Sequence, residues 1–143
     1  MNMKSQKALK DTKLNVKLKL AALWTPFMFL YIYVDYFAFY KPGFIENVIA
    51  GKVWQFEITQ AFLLAALASV TIPALMIFLS VALPAKVNRW TNIIVAAVYI
   101  PYSLFNLVGE TVNYMHMIFG AVVEVALLLL VICYAWKWPR QEA

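Results

Sequence analysis

The chain reads as four long apolar runs separated by polar breaks. The runs cover residues 18–39, 58–83, 91–109 and 115–136. Each approaches the roughly 20 mostly apolar residues that a helix needs to cross the hydrocarbon of a bilayer. Pro84 closes the second run, and the stretch 83–90, with Lys86, Asn88 and Arg89, reads as a short polar turn; 109–114 reads as another. Short connections make neighbouring helices antiparallel. The first connection, 40–57, is longer. Within it Phe44, Ile45, Val48 and Ile49 share one helical face while Glu46, Asn47 and Lys52 fall largely elsewhere, which predicts a short helix lying at the membrane surface. The pattern therefore predicts an all-α fold: an antiparallel four-helix transmembrane bundle with a short interfacial helix between helices 1 and 2. A basic cytoplasmic segment, 1–17, precedes a single transmembrane domain, 18–139.

Composition agrees with lipid as the solvent. Hydrophobic residues make up 64% of the 143 and charged residues 13%, against about half and about a quarter in a soluble domain. So short a chain has too little interior to hide that much apolar surface from water. The net charge is +5, but the basic residues flank apolar runs and form no folded basic face, which argues against nucleic acid as a partner. Lys4, Lys7, Lys10, Lys13, Lys17, Lys19, Lys86, Arg89, Lys137 and Arg140 fall on one side of the expected topology, and only Lys41 and Lys52 on the other. The positive-inside rule then predicts a multi-pass protein of the inner (plasma) membrane with both termini cytoplasmic. Trp24, Tyr36, Tyr40, Trp54, Trp90, Tyr114, Trp136 and Trp138 gather toward the ends of the runs, where interfacial aromatics are expected. The first run is too long for a signal-peptide core and no small-x-small site follows it. The N-terminal lysines set topology; a sharper role is contact with anionic lipid headgroups, at about 1 kcal/mol per lysine near the surface. The expected partners are the bilayer, those headgroups and, in a homo-oligomer, a second copy of the chain.

No catalytic motif, glycine-rich phosphate loop or zinc spacing is present, and one histidine and one cysteine do not build a metal site of the usual kind. The pattern calls for no metal and no cofactor. One residue breaks the rule of an apolar span: Glu124, ~18 Å along the helix from Trp136 and ~12 Å from His116 at helical rise. An ionised carboxylate at such depth costs at least ~2.5–3.5 kcal/mol, so Glu124 is expected to face other helices. Gly120, one turn away, lets a neighbour approach. Climbing the same height on the other helices leads to Tyr31, Ser69, Thr71, Tyr99 and Ser103 as partners of Glu124. Ala61, Ala65, Ser69 and Pro73 form a small-residue stripe suited to packing. Two readings stay open for the intramembrane cluster: an interhelical hydrogen-bond lock, or a proton or ligand site. A second polar group, Asp35, Glu110, Asn113 and His116, falls at the outer face, either as solvated helix ends or as an acidic vestibule. Pro26, Pro73 and Pro101 each fall inside a span, where kinks either open a cavity or are ordinary bends.

Several strings occur in order: Tyr31-Ile32-Tyr33-Val34-Asp35-Tyr36-Phe37, Pro42-Gly43, Ile58-Thr59-Gln60, Ile72-Pro73-Ala74-Leu75-Met76-Ile77-Phe78-Leu79-Ser80, Arg89-Trp90-Thr91-Asn92-Ile93-Ile94, and Val123-Glu124-Val125 ahead of Tyr134-Ala135-Trp136-Lys137-Trp138. In these the chain resembles an uncharacterised family, a domain of unknown function, of small four-span bacterial membrane proteins. The resemblance covers about 22–139 and implies the fold and a bacterial inner membrane. It implies no activity and no functional residues. Three functions stay open: a non-enzymatic membrane component or accessory subunit; an oligomeric transporter or small-molecule or lipid binder centred on Glu124; and an enzyme acting on a lipid or quinone at the outer interface through His116, Glu110 and Asp35.

Overall fold

The computed structural model describes residues 11–108 and 114–139. Its elements are α1 (Val16–Ala38), α2 (Phe44–Ile49), β1 (Lys52–Val53), β2 (Phe56–Glu57), α3 (Gln60–Ala82), α4 (Ala85–Phe105) and α5 (Met115–Trp136). Local chemistry sets the starts. The Asn15 side chain accepts a bond from the Lys17 amide at 2.9 Å, and Thr59 Oγ1 accepts from the Phe62 amide at 3.1 Å. Both are N-caps that satisfy an orphan donor of the first turn. Gly43 takes φ 78° ahead of α2, a left-handed conformation that glycine adopts without steric cost. Pro84 sits at the N-cap of α4. The polar turn expected over 83–90 is therefore only two residues long, and Lys86, Asn88 and Arg89 belong to the helix. Pro26, Pro73 and Pro101 lie inside continuous helices.

The first connection carries the expected short helix, α2, and also a small antiparallel hairpin that pairs Lys52 with Glu57 and Val53 with Phe56. Trp54, at the first loop position, has φ 53°, the sign that two-residue hairpin loops require there. The all-α expectation is corrected to this extent.

The transmembrane expectation needs a larger correction. Among the described residues three helices, α1, α3 and α5, are long and apolar enough to cross a membrane. The fourth long helix, α4, is not among them, so the described residues form five helices with three candidate spans and not a four-helix transmembrane bundle. The reason is in the α4 sequence. Lys86 and Arg89 open it, and its buried stripe is Asn88, Asn92, Ala96, Tyr99 and Ser103, so the face it turns inward is largely polar. Three is an odd number of crossings, which implies chain ends on opposite sides. The expectation of both termini in the cytoplasm is corrected with it.

α1 packs along both α3 and α5, and α4 packs along α5, while α3 and α4 touch lightly. The core between them holds Leu20, Trp24, Phe27, Tyr31, Met76, Ala96, Tyr99, Leu128, Val131 and Ala135. Leu63, Leu64, Leu67, Ile72, Leu75 and Phe78 of α3 are exposed, an apolar surface suited to lipid. Ala61 and Ala65 lie on that open surface too, so the small-residue stripe of α3 packs only from Ser69 onward. Gly120 does meet a helix: a Cβ there would collide with Val34 of α1.

At the end of the bundle where α4 begins, polar groups close on one another. Trp24 Nε1 donates to Asn92 Oδ1 at 2.7 Å, and Ser80 Oγ donates to the same oxygen at 3.1 Å. Asn92 Nδ2 donates to the Asn88 side chain at 2.7 Å and to the Asn88 carbonyl at 3.0 Å. Asn88 Nδ2 in turn donates to the Ser80 carbonyl at 2.6 Å. Trp24 is thus a fully buried anchor, not the interfacial residue its position near the end of a run suggests. Lys17 also has internal work. Its Nζ donates to the carbonyls of Leu83 at 2.6 Å and Val81 at 3.2 Å, the orphan acceptors at the end of α3.

Asn92→Ala is expected to lower stability by at least about 2 kcal/mol, because it strands the buried Trp24 and Ser80 donors. Leu129→Ile, on the exposed side of α5, is expected to change it by less than about 0.5 kcal/mol. Thermal melts in detergent compare them; equal melting temperatures would remove the network from the stability argument. Gly120→Ala is expected to cost about 1–3 kcal/mol by overpacking. Val34→Ala in the same chain should recover part of it, since neighbouring substitutions couple.

Candidate functional site

Glu124 faces inward because of where it falls on α5. The buried residues of that helix are Met117, Gly120, Ala121, Glu124, Leu128, Val131 and Ala135, spaced by three and four, so they form one stripe. The carboxyl side chain is 3% exposed. The antiparallel register of α1 against α5 follows from two contacts: Lys19 Nζ lies 5.1 Å from the centre of the Tyr134 ring, and Val34 packs on Gly120. That register carries Tyr31 to the level of Glu124 and sets Asp35, exposed, about one turn further along α1 beside the Gly120 contact.

The result is a small cleft between α1, the end of α4 and α5. Tyr31, Val34, Asp35, Ser103, Asn106, Leu107, Met117, Ala121 and Glu124 line it. Its free volume is about 10 Å³, close to the space of one water molecule. Ser103 is 1% exposed and lies beside the Glu124 carboxyl. It falls short of hydrogen-bond geometry with it, and its hydroxyl is buried without a partner. Asp35 is close enough to Glu124 for their charges to interact. No lysine, arginine or histidine lines the cleft.

Beyond the cleft runs a tyrosine-rich string. The Tyr31 ring stacks on Tyr102 with centroids 6.1 Å apart. Tyr102 Oη donates to Ser69 Oγ at 3.2 Å, and Ser69 Oγ donates to the Ala66 carbonyl at 2.7 Å. Tyr99 Oη donates to the Ser69 carbonyl. These bonds tether α3 to α4 where the two helices otherwise touch lightly.

The predicted residues thus separate into groups. Tyr31 and Ser103 share the cleft with Glu124. Ser69 and Tyr99 bond to each other one layer away. Thr71 is exposed and turns back to the Leu67 carbonyl at 2.8 Å. Asp35, assigned from sequence to the outer group, lines the cleft instead. His116 is exposed and lines a separate shallow groove with Phe37, Tyr40, Lys41 and Tyr114. Glu110 and Asn113 lie outside the described residues, as do Lys4, Lys7, Lys10 and Arg140. Because Asp35 and His116 line different clefts, the outer-face enzyme reading lacks the convergence it needs. Asn106 was not among the residues expected near Glu124, and the sharing of one cleft by Asp35 and Glu124 was not legible either. Depth counted from the helix ends puts Asp35 about a turn outward of Glu124, and the α1–α5 contact at Gly120 agrees; what depth alone misses is that one cleft runs from the one residue to the other. Among the described residues no group of three or more His, Cys, Asp or Glu side chains could hold a metal ion.

Removing an unbonded hydroxyl should differ from removing a bonded one. Tyr99→Phe is expected to cost about 1 kcal/mol of stability, while Ser103→Ala is expected to be neutral within about 0.5 kcal/mol. Chemical or thermal denaturation in detergent at low salt checks this, and a large loss for Ser103→Ala would show that its hydroxyl is structurally bonded.

Residues 9–143 match the family of unknown function DUF6326, and the chain belongs to that family. No curated protein and no solved structure matches it. The chain is a small α-helical protein with membrane-suited helices and with no catalytic or metal-binding constellation among its described residues.

Proposed function

We propose that this member of the DUF6326 family is a non-enzymatic component of a bacterial inner membrane, an accessory subunit whose cleft around Glu124 takes up and releases a very small ligand. The observation that carries the reading is the convergence of Glu124, Asp35 and an unpartnered Ser103 hydroxyl on a space of about 10 Å³ with no basic residue in its lining. A hydrogen-bond lock satisfies its members, as the Asn88–Asn92 network does. This cluster leaves a buried hydroxyl unbonded beside a buried carboxyl, with the exposed carboxyl of Asp35 at its rim, and a buried acid without a partner is costly. The apolar surfaces of α1, α3 and α5 support a lipid environment, and the resemblance to bacterial membrane proteins supports the compartment.

The test is chemical. A hydrophobic carbodiimide reacts with a protonated carboxyl that it can reach inside a membrane. Labelling mapped by mass spectrometry is expected at Glu124, decreasing as pH rises and absent in Glu124→Gln. Modification confined to exposed acids such as Glu46 and Glu57, with Glu124 untouched at every pH, would mean a sealed packing group and would defeat the reading.

A further inference from the structure

We infer that Arg89, with the indoles of Trp90 and Trp136, forms a binding site for the phosphate of an anionic phospholipid at the end of the bundle where α5 stops. The site is separate from the Glu124 cleft and does not depend on it. Its first support is an unanswered charge. The Arg89 guanidinium lies over the Trp90 and Trp136 rings, 5.6 and 5.5 Å from their centres. Trp90 belongs to α4 and Trp136 to α5, so the cation sits across the seam between the two helices. Ring faces attract a cation but leave its N–H donors unmet. Nε is buried without a hydrogen-bond partner, and no carboxylate among the described residues pairs with the group. A partly desolvated guanidinium with unmet donors is costly until an anion joins it. Nε is the nitrogen sealed off, so the Nη edge stays open, and parallel N–H bonds from one guanidinium match two oxygens of a phosphate.

Position identifies the source of the phosphate. α5 is apolar enough to cross a membrane, and Trp136 is its last residue. Trp90 and Trp136 are both exposed, and exposed indoles at the end of a span mark the headgroup level. Below them the surface is apolar. Ile94 and Val98 follow Trp90 at intervals of four, Leu129 precedes Trp136 by seven, and all are exposed. These spacings keep each set on one helical face, a track for acyl chains that a free phosphate ion would leave bare. Charge then selects the headgroup. Lys86, three residues before Arg89, and Lys137, next to Trp136, are exposed, and Lys19 reaches the same end of α5 at Tyr134. On α5 the nearest carboxylate, Glu124, is ~18 Å along the helix from Trp136. Fields of one sign disfavour the ammonium of a zwitterionic lipid and favour a headgroup with net negative charge, such as phosphatidylglycerol.

The experiment titrates short-chain phosphatidylglycerol into the full chain in a neutral detergent, counting complexes by native mass spectrometry and following the melting temperature. Phosphatidylcholine of the same chain length and inorganic phosphate are the comparators. Phosphatidylglycerol is expected to bind at least about tenfold more tightly than phosphatidylcholine and to raise the melting temperature by about 3 °C or more at saturation, with no effect from inorganic phosphate at the same concentrations. Arg89→Gln should weaken phosphatidylglycerol binding at least about tenfold. Arg89→Lys, which keeps the charge but loses the fork, should weaken it at least about threefold and carries the test if the Gln variant does not fold. Lys13→Gln, at an exposed lysine before α1, should change it less than about twofold, because salt screens distant charges. Equal affinity for the two lipids, stabilisation by inorganic phosphate that matches the lipid, equal weakening by Lys13→Gln and Arg89→Gln, or unchanged binding in both Arg89 variants would each overturn the assignment. A dimer that Arg89→Gln dissolves while lipid binding persists would also overturn it and place a protein carboxylate at Arg89 instead.

Discussion

Asn92 holds three helices at one point, and much of the arrangement depends on it. Its side-chain oxygen accepts a hydrogen bond from Trp24 on α1 and another from Ser80 on α3, while its amide reaches back to Asn88 on its own helix. In water such bonds exchange with solvent and contribute modestly. Where lipid surrounds the helices no water competes, and an unpaired donor has nowhere to turn. Hydrophobicity supplies little drive for helices to associate in lipid, so polar ties and close packing must do so. The lysine at the start of α1 adds to the same end by closing the last carbonyls of α3.

The two ends of the core use polar residues in opposite ways. Around Asn92 the donors and acceptors are matched, and the contacts are short and local. Around Glu124 they are mismatched: acceptors crowd together, one hydroxyl is left over, and no positive group is built in. Both clusters lie on the same face of α4, at Asn88 and Asn92 near its start and at Ser103 and Asn106 near its finish. That helix therefore contributes its inner face to polar work at both ends and has an aromatic middle, where Tyr99 meets Phe27 edge to face. The same expenditure keeps it from reading as an apolar span.

Sequence periodicity made α1, α3 and α5 legible to within about two residues, since apolar runs bounded by caps and prolines leave little freedom, but α4 begins at Ala85, inside what reads as a polar turn. It also picked out Glu124 as inward-facing, because a carboxyl on an otherwise apolar stripe has few alternatives. What it missed depended on lateral contacts. Counting residues as a measure of height put Thr71 near Glu124, but height says nothing about azimuth, and Thr71 points away. Trp24 looked interfacial because tryptophans near helix ends often are; only the asparagine one helix over shows why it is buried. The count of four spans treated length and apolar content as enough, and α4 has the first with less of the second. The hairpin at 52–57 carries no alternation long enough to announce a strand.

The separation of the two acids is not set by either of them. Asp35 and Glu124 hang from α1 and α5, and those helices stand as close as the missing side chain of Gly120 allows Val34 to come. Coulomb energy falls with distance and with the water admitted between charges. A methyl group inserted at that contact would act as a wedge, opening the gap and letting solvent dilute the field. The electrostatic character of the cleft is thus dictated by a pair of uncharged residues, one beside Asp35 and one a turn from Glu124, which work as its spacer.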